Sequence, residues 1–270
     1  MKGSIRKTGK QSWEIRVDVG KDPSTGKRRQ KSISIRGTKK EAERKLAEII
    51  CQLESGSFVE PAKMTFGEYM ERWLRDYVGM TVRETTRESY ETLVRTHIVP
   101  ALGHIPLSKL SPVHLQEFYA RALENGRKDG RGGLSTRTVR YIHGLIHEAL
   151  DRALKQGIVA RNVADAAEPP RESKREIRPL KEEEVARLLA EIRDMRLLVP
   201  VTLAVLGGMR RGEVLGLRWE DVNLSTGEVY VRQSLDRITK KGLVVGEPKT
   251  ARSRRRITLP PSAVEVLKKW

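Results

Sequence analysis

The chain has too little cysteine and too few long apolar runs for several classes of protein. Its 270 residues contain one cysteine, Cys51. One cysteine cannot form a disulfide within the chain or build a thiolate cage around zinc, which excludes a disulfide scaffold and a zinc finger. No run of about 18 apolar residues is present, which excludes a membrane-spanning helix. Because the first residues also lack the apolar core of a signal peptide, we expect a cytoplasmic protein.

Acidic residues are scarce relative to basic ones. Lys and Arg number 53, Asp and Glu number 35, and the formal net charge is +18. The basic residues are spread along the whole chain, which favours a long polyanion held at many points over a lipid surface held by one amphipathic helix. We therefore expect nucleic acid as the partner; charge that serves only solubility is the alternative. Aromatic residues make up only 5% of the chain, which disfavours RNA binding by base stacking.

Residues 4–58 predict a small sheet followed by a helix. Apolar and polar side chains alternate from Trp13 to Val19, and again on a second strand after a turn rich in Asp, Pro, Ser and Gly. Thr38 and Glu41 have the spacing of a capping box, in which each side chain accepts a backbone N–H of the other residue. The helix is therefore predicted to begin next to Thr38.

The predicted strands carry a dense group of basic residues. Arg28, Arg29 and Lys31 lie on the second strand. A two- or three-stranded sheet fits in a DNA major groove and can present such side chains to phosphates and base edges. We predict these three residues to contact DNA; a solvated polar face is the alternative.

Residues 65–165 predict a compact bundle of four short amphipathic helices. Thr65 and Glu68 form a second capping box. Ser111 precedes a proline at the first helical position, and Ser135 opens the fourth helix.

Prolines predict two breaks in the chain. The second helix of the bundle is predicted over about 86–98 and is expected to end because Pro100 and Gly103 follow. Residues 166–178 contain two prolines, mixed charge and little apolar content, and we predict an exposed linker there.

Residues 179–270 predict a third unit. The mostly apolar stretch from Leu197 to Leu206 predicts a buried helix. Alternating apolar residues then predict a small antiparallel sheet (Val229, Val231, Ile257 and Leu259).

No metal site is predicted. The only closely spaced histidines are His143 and His147, four residues apart on one predicted helix. No third ligand accompanies them, so a surface pair near DNA or a protein partner is favoured over a metal site.

The first informative string is LGGMRRGEVLGLRWEDV, from Leu206 to Val222. Two glycines allow the backbone to turn sharply before Arg210, which begins a helix. An arginine so placed can present a bidentate guanidinium to phosphate. Glu213, three residues later, is placed to hold Arg210 by a salt bridge. An ordinary capped helix with surface arginines is the alternative.

The second string is GEPKTARSRRRITLP, from Gly246 to Pro260. Lys249 falls in a turn or at a strand end, where an ammonium group could stabilise a phosphoryl transition state and protonate a leaving oxygen. Arg254 is predicted to contact DNA. The alternative is a basic hairpin that only contacts backbone phosphates.

Together, the two strings behind a basic helical bundle resemble tyrosine recombinases of the phage-integrase kind. Residues 1–60 resemble the arm-type DNA-binding module, 64–165 the core-binding domain, and 179–270 the first part of the catalytic domain, with the linker at 166–178 between them. The resemblance implies a multidomain, mainly α fold with small β-sheets: a three-stranded sheet plus helix, a four-helix SAM-like bundle, and a partial α+β catalytic domain. One departure is Asn162-Val163, where relatives often have Asn-Pro.

The resemblance also implies roles for single residues. Arg210 would clamp the scissile phosphate, Glu213 would buttress Arg210, and Lys249 would act near the leaving 5′ oxygen. We predict further DNA contacts on the fourth helix of the bundle, by Arg137 and Arg140. The family conserves bond energy in a 3′-phosphotyrosine, so no metal, cofactor or ATP is expected. Self-association on DNA is implied for the full-length form.

Part of the family's catalytic set is missing from these 270 residues. No His-x-x-Arg motif occurs after Lys249, and none of the tyrosines falls in a late helix (Tyr69, Tyr77, Tyr90, Tyr119, Tyr141 and Tyr230). We therefore expect a truncated integrase of a mobile element that binds attachment-site DNA without cleaving it. The alternative is a naturally shortened DNA-binding regulator of integration or excision, and whether the chain is an enzyme stays open here.

Overall fold

A computed structural model describes residues 3–21, 26–54, 64–172, 176–239, 241–247 and 253–270. Backbone contacts divide the chain into two compact units. The first unit comprises Met1–Trp73 and Val94–Glu172, and the second comprises Leu74–Leu93 and Ser173–Trp270. The predicted fold class is confirmed, since the molecule is mainly helical with small antiparallel sheets.

The first unit begins with a three-stranded antiparallel sheet in the order β1-β2-β3. Its strands are β1 (Gly3–Gly9), β2 (Ser12–Lys21) and β3 (Arg28–Arg36). The register aligns Ile5, Ile15 and Ile33 across the sheet. The helix α1 (Lys39–Glu54) packs its Leu46 and Ile49 against this apolar face.

Capping boxes begin two helices where the sequence predicts them. The Thr38 backbone N–H donates to the Glu41 carboxylate over 2.6 Å, and the Glu41 N–H donates to Thr38 Oγ1 over 3.3 Å. The same exchange between Thr65 and Glu68 spans 2.7 and 3.2 Å. The boxes provide acceptors for backbone donors that a helix start otherwise leaves without partners.

The helical part of the first unit contains α2 (Phe66–Trp73), α5 (Val99–Leu102), α6 (Pro112–Asn125) and α7 (Thr136–Lys155). A π-helical turn covers Val94–Ile98, and 3₁₀ turns cover Leu107–Lys109 and Val163–Ala166. The buried Tyr69 hydroxyl donates to the carbonyl of Ala149 over 2.7 Å, which joins α2 to α7. No helix in the described ranges is long and apolar enough to cross a membrane.

The helix predicted over 86–98 does not end before Pro100. The chain continues from the π-helical turn directly into α5, which ends at Leu102, just before Gly103. Pro100 lies in the first turn of α5, directly after the π-helical turn, and the helical backbone continues through it to Leu102. The predicted end of the helix at residue 98 is therefore wrong by one short turn, whereas Gly103, the other predicted breaker, does follow the last helical residue.

The segment after α7 lies against the helices of the same unit. Asn162 is buried, and its side-chain amide donates to the carbonyl of His147 over 3.1 Å. Gln116 exchanges two 3.1 Å hydrogen bonds with the backbone of Glu168, and Arg140 Nη1 donates to the Pro170 carbonyl over 3.1 Å. Residues 166–170, which the sequence assigns to the linker, are thus attached to α6 and α7; the domain boundaries stay predictions.

The second unit contains the remaining helices and two small sheets. Its helices are α3 (Gly79–Thr81), α4 (Glu84–Leu93), α8 (Glu182–Glu191), α9 (Leu198–Leu206), α10 (Arg211–Leu215) and α11 (Pro261–Lys268), with a π-helical turn at Leu74–Val78 and a 3₁₀ turn at Trp219–Asp221. Its strands are β4 (Val222–Asn223), β5 (Glu228–Val231), β6 (Ser234–Ile238), β7 (Gly242–Gly246) and β8 (Arg255–Thr258). The sheets have the orders β4-β5-β8 and β6-β7.

The predicted antiparallel sheet of this unit is confirmed, because Val229 pairs with Ile257. Its inward side chains pack against α9 and α11. The helix α9 is present as predicted, but it is not buried all round. Val199 and Leu203 are buried, whereas Val205 and Leu206, in the last turn of α9, are exposed.

Candidate functional site

Arg210 lies where the chain turns into α10. Gly208 has a φ of +60°, in the left-handed region that suits glycine, and Met209 is buried and anchors the turn. Arg210 then takes the N-cap position of α10 with extended backbone angles. Its side chain remains 69% exposed, so the guanidinium is available to a ligand while its backbone is fixed.

Glu213 is buried, with a side chain 4% exposed, and it receives four hydrogen bonds. Its Oε1 accepts from Arg210 Nη1 at 2.9 Å and from Arg255 Nη1 at 3.1 Å. Its Oε2 accepts from the Arg210 backbone N–H at 3.0 Å and from Arg255 Nη2 at 2.9 Å. A carboxylate has about four acceptor sites, so the ones on Glu213 are all occupied. We refer to Arg210, Glu213 and Arg255 as the arginine–glutamate cluster.

The cluster keeps Glu213 ionised. Burial opposes the charged form, but hydrogen bonds from Arg255, from the Arg210 backbone and from the Arg210 side chain outweigh it and lower the pKa of Glu213 to about 2. A carboxylate that is charged at neutral pH and fully hydrogen-bonded acts as a support for the arginines and has no free lone pair to serve as a general base.

Sequence reasoning missed Arg255. It begins β8 opposite Val231, on the inward face of the sheet, and it also donates to the carbonyls of Gly208 and Ser253 at 3.2 and 3.3 Å. The available signal was alternation, since Arg255 has the same parity as Ile257 and Leu259, which the sequence placed inside.

The structure says less about the two residues that the sequence predicts in the second string, Lys249 and Arg254. Lys249 lies outside the described residues, so its convergence with Arg210 stays a prediction. Arg254 is exposed and forms a 2.7 Å salt bridge with the exposed Glu247.

The register separates the basic residues of the β1-β2-β3 sheet into two faces. Lys31 lies opposite Val17 on the side covered by α1, and it is only partly exposed. Arg28 is exposed and paired with Asp18, whereas the side chain of Arg29 lies outside the described residues. The face opposite α1, which we call the open sheet face, carries three exposed arginines that the prediction did not include (Arg6, Arg16 and Arg36).

The predicted contacts on α7 are exposed. Arg137 lies in the first turn, and Arg140 is exposed beyond its bond to Pro170. The neighbouring His143 ring nitrogen Nδ1 lies 2.8 Å from the Tyr119 hydroxyl, and His147 Nε2 lies 2.7 Å from Asp165 Oδ1. Burial lowers the pKa of His143, and the nearby His147 and Arg140 lower it further.

Three family models match successive parts of the chain. The "Arm DNA-binding domain" matches residues 4–53, the "Phage integrase, N-terminal SAM-like domain" matches 65–123, and the "Phage integrase family" matches 178–270. The chain belongs to the phage integrase family of tyrosine recombinases.

Similar curated proteins include recombinases of several bacteria. A "Tyrosine recombinase XerC-like" protein of Caldanaerobacter subterraneus subsp. tengcongensis is 27% identical over 277 residues, covering 97% of this chain and 68% of its own. An integrase of Streptomyces ambofaciens is 29% identical over 265 residues, covering 96% and 64%. The ICEBs1 integrase of Bacillus subtilis is 24% identical over 272 residues, covering 99% and 70%. The chain therefore spans about two thirds of the length of these relatives.

Solved structures share the fold. The Tn1549 transposon integrase, in complex with a circular intermediate DNA, aligns with a TM-score of 0.65 at 20% identity, over 76% of this chain and 64% of that one. A lambda integrase dimer bound to a core site aligns with a TM-score of 0.56 at 17% identity, over 98% and 70%.

Proposed function

We propose that this chain binds duplex DNA and holds one backbone phosphate with Arg210, as part of the site-specific recombination of a mobile element. The observation that carries the proposal is the arginine–glutamate cluster. It combines one buried carboxylate with two guanidinium groups, so its net charge is positive, and Arg210 is its exposed member. A fixed guanidinium with free N–H groups matches the geometry of a phosphate.

The remaining residues of the site have supporting roles in this proposal. Glu213 orients Arg210 and takes no proton from substrate, because its acceptor sites are occupied. Lys249 is proposed to act near the leaving 5′ oxygen, and only the family resemblance supports this role. No step of the proposal requires a metal ion or a cofactor.

We propose further that these 270 residues bind DNA without cleaving it. Tyr230 is the tyrosine of the β4-β5-β8 sheet, and it pairs with Arg256 on the outward face, whereas Arg255 faces inward. Its ring lies 5.5 Å from the Arg232 guanidinium carbon, and its hydroxyl donates to Glu228 over 3.4 Å. Tyr230 therefore faces away from the arginine–glutamate cluster and is not placed to attack a phosphate held by Arg210.

The open sheet face and α7 are the proposed surfaces for the rest of the DNA. Arg6, Arg16 and Arg36 project from the open sheet face, and Arg137 projects from the first turn of α7. Self-association on DNA is also proposed, since the family resemblance implies it and similar structures include a lambda integrase dimer and a tetramer on a Holliday junction.

Two assays on one labelled duplex test the function. We expect fluorescence anisotropy to show binding that weakens with salt. The negative slope of log affinity against log salt should become less steep by about 0.9 in Arg210→Ala, because one phosphate contact is lost. Arg256→Gln, on the outward face of the sheet, is the control for a changed arginine nearby. Equal slopes for Arg210→Ala and the unaltered chain would overturn the role of Arg210.

The second assay tests whether the chain cleaves DNA. A suicide duplex that traps covalent intermediates is expected to give no protein–DNA adduct on a denaturing gel. An adduct formed by these 270 residues would refute binding without cleavage and favour an active enzyme over a DNA-binding regulator.

A further inference from the structure

The arginine–glutamate cluster contains one more arginine than a buttressed phosphate clamp needs. Glu213 and Arg210 alone would form a neutral ion pair, and a neutral pair attracts phosphate weakly. Arg255 brings a second positive charge to the same carboxylate, at 2.9 Å from Oε2 and 3.1 Å from Oε1. The cluster as a whole then carries a net charge of about one unit.

The two arginines differ in what they have left to offer a ligand. In the described part of the chain, Arg255 donates four hydrogen bonds from Nη1 and Nη2, two to Glu213 and one each to Ser253 and Gly208, and its side chain is 30% exposed. The guanidinium of Arg210 donates one, to Glu213, and is 69% exposed. Of the five N–H donors of a guanidinium, Arg255 has nearly all engaged and Arg210 has most available.

We propose that Arg255 is a positioning residue that neutralises Glu213, so that Arg210 presents an uncompensated positive charge to the phosphate. This inference rests on the proposed function of Arg210. Without Arg255, two acceptor positions on Glu213 would be vacant, and the Arg210 guanidinium would turn inward to form a two-pronged ion pair with it. The site would then lose both its net charge and its exposed donors.

The charge argument makes a specific prediction about rescue. Arg255→Gln removes one positive charge, and the double variant Glu213→Gln/Arg255→Gln restores the original net charge by also removing the negative one. A unit charge a few ångströms away in a half-exposed site changes an affinity by about tenfold. A purely structural role for Arg255 predicts no such rescue, because the double variant loses more hydrogen bonds than the single one.

The experiment is a titration of the full chain with inorganic phosphate, in which NMR monitors the ¹H–¹⁵N signal of Arg210 Nε. That signal is identified because it is absent from the spectrum of Arg210→Ala. We expect Arg255→Gln to weaken phosphate binding about tenfold and Arg255→Lys to stay within about threefold of the unaltered chain. The double variant should bind at least about threefold more tightly than Arg255→Gln, because it regains the net charge although it loses the carboxylate that orients Arg210. Arg256→Gln, the next residue along β8 and paired with Glu228 on the outward face, is the matched control and should leave the affinity unchanged.

The outcomes separate this inference from the function on which it rests. If phosphate does not shift the Arg210 signal in the unaltered chain, the proposed function fails. If phosphate shifts that signal but Arg255→Gln binds as tightly as the unaltered chain, or the double variant binds as weakly as the single one, Arg255 does not act through the charge of Glu213. Should Arg255→Gln not fold, Arg255→Lys and the double variant decide alone: tenfold weaker binding in both overturns the inference.

Discussion

At the scale of single residues, the buried carboxylate of Glu213 couples the stability of the second unit to the phosphate binding that is proposed for Arg210. Removing a carboxylate from water is costly, and four hydrogen bonds with two guanidinium groups offset that cost. The same contacts fix Arg210, so a change at Glu213 should be seen both in unfolding and in DNA binding.

Glu213→Gln should destabilise the chain in a pH-dependent way. Because the pKa of Glu213 is about 2 in the folded state and about 4.5 unfolded, its ionisation stabilises the fold fully above pH 4.5 and less as pH falls towards 2. We expect a loss of roughly 3 kcal/mol in urea unfolding at pH 7, shrinking by about half at pH 3.

The control for this pH dependence is Glu247→Gln, which removes a carboxylate that is 79% exposed and paired with Arg254. A surface pair of that kind contributes at most about 1 kcal/mol. A difference between Glu213→Gln and the unaltered chain that is as large at pH 3 as at pH 7 would contradict the assigned pKa.

Local chemistry explains which residues the sequence could predict. The capping boxes at Thr38 and Thr65 depend on partners three residues away, and both are found as predicted. Arg255 contacts a carboxylate 42 residues earlier in the chain. Such a pair depends on how α10 and β8 pack, which spacing alone does not specify.

At the scale of secondary structure, a shift of one position along a strand decides which face of the β1-β2-β3 sheet a side chain lies on. Side chains alternate between the two faces of a strand, so Arg36 lies on the open sheet face whereas Lys31 lies on the same face as Ile33, the face against which α1 packs. Alternation therefore separates two basic residues of one strand, and which of them contacts DNA stays a prediction.

Charge removal on the two faces should have different effects on DNA binding. We expect Arg36→Gln to make the negative slope of log affinity against log salt less steep by about 0.9, because it removes a phosphate contact, and Lys31→Gln to leave the slope nearly unchanged. Fluorescence anisotropy with a labelled duplex between 50 and 200 mM salt measures both. The assignment of faces fails if Lys31→Gln has the larger effect.

Element boundaries were the weaker part of the sequence prediction. Pro100 predicts the end of a helix, but the helical backbone continues through it from the π-helical turn to Leu102. Residues 166–170 have a linker-like composition, yet Gln116 and Arg140 hold them through backbone atoms. Backbone-directed contacts of this kind leave no pattern in the sequence of the segment that they hold.

At the scale of the whole molecule, the charge of +18 is distributed over both compact units. Both units contribute to the proposed DNA binding. The first unit contributes the open sheet face and α7, and the second contributes the arginine–glutamate cluster. Composition could predict a partner of opposite charge and motifs could predict the family, but the chemistry assigned to Arg210 depends on three side chains that meet only in the folded second unit.

A crystal structure of the 270-residue chain with a short DNA duplex tests that assignment most directly. The account predicts a backbone phosphate oxygen about 2.7–3.0 Å from the Arg210 guanidinium, with Arg255 still bonded to both oxygens of Glu213 and not to DNA. A complex in which Arg210 faces solvent, or in which Arg255 leaves Glu213 to bind the phosphate itself, would contradict it.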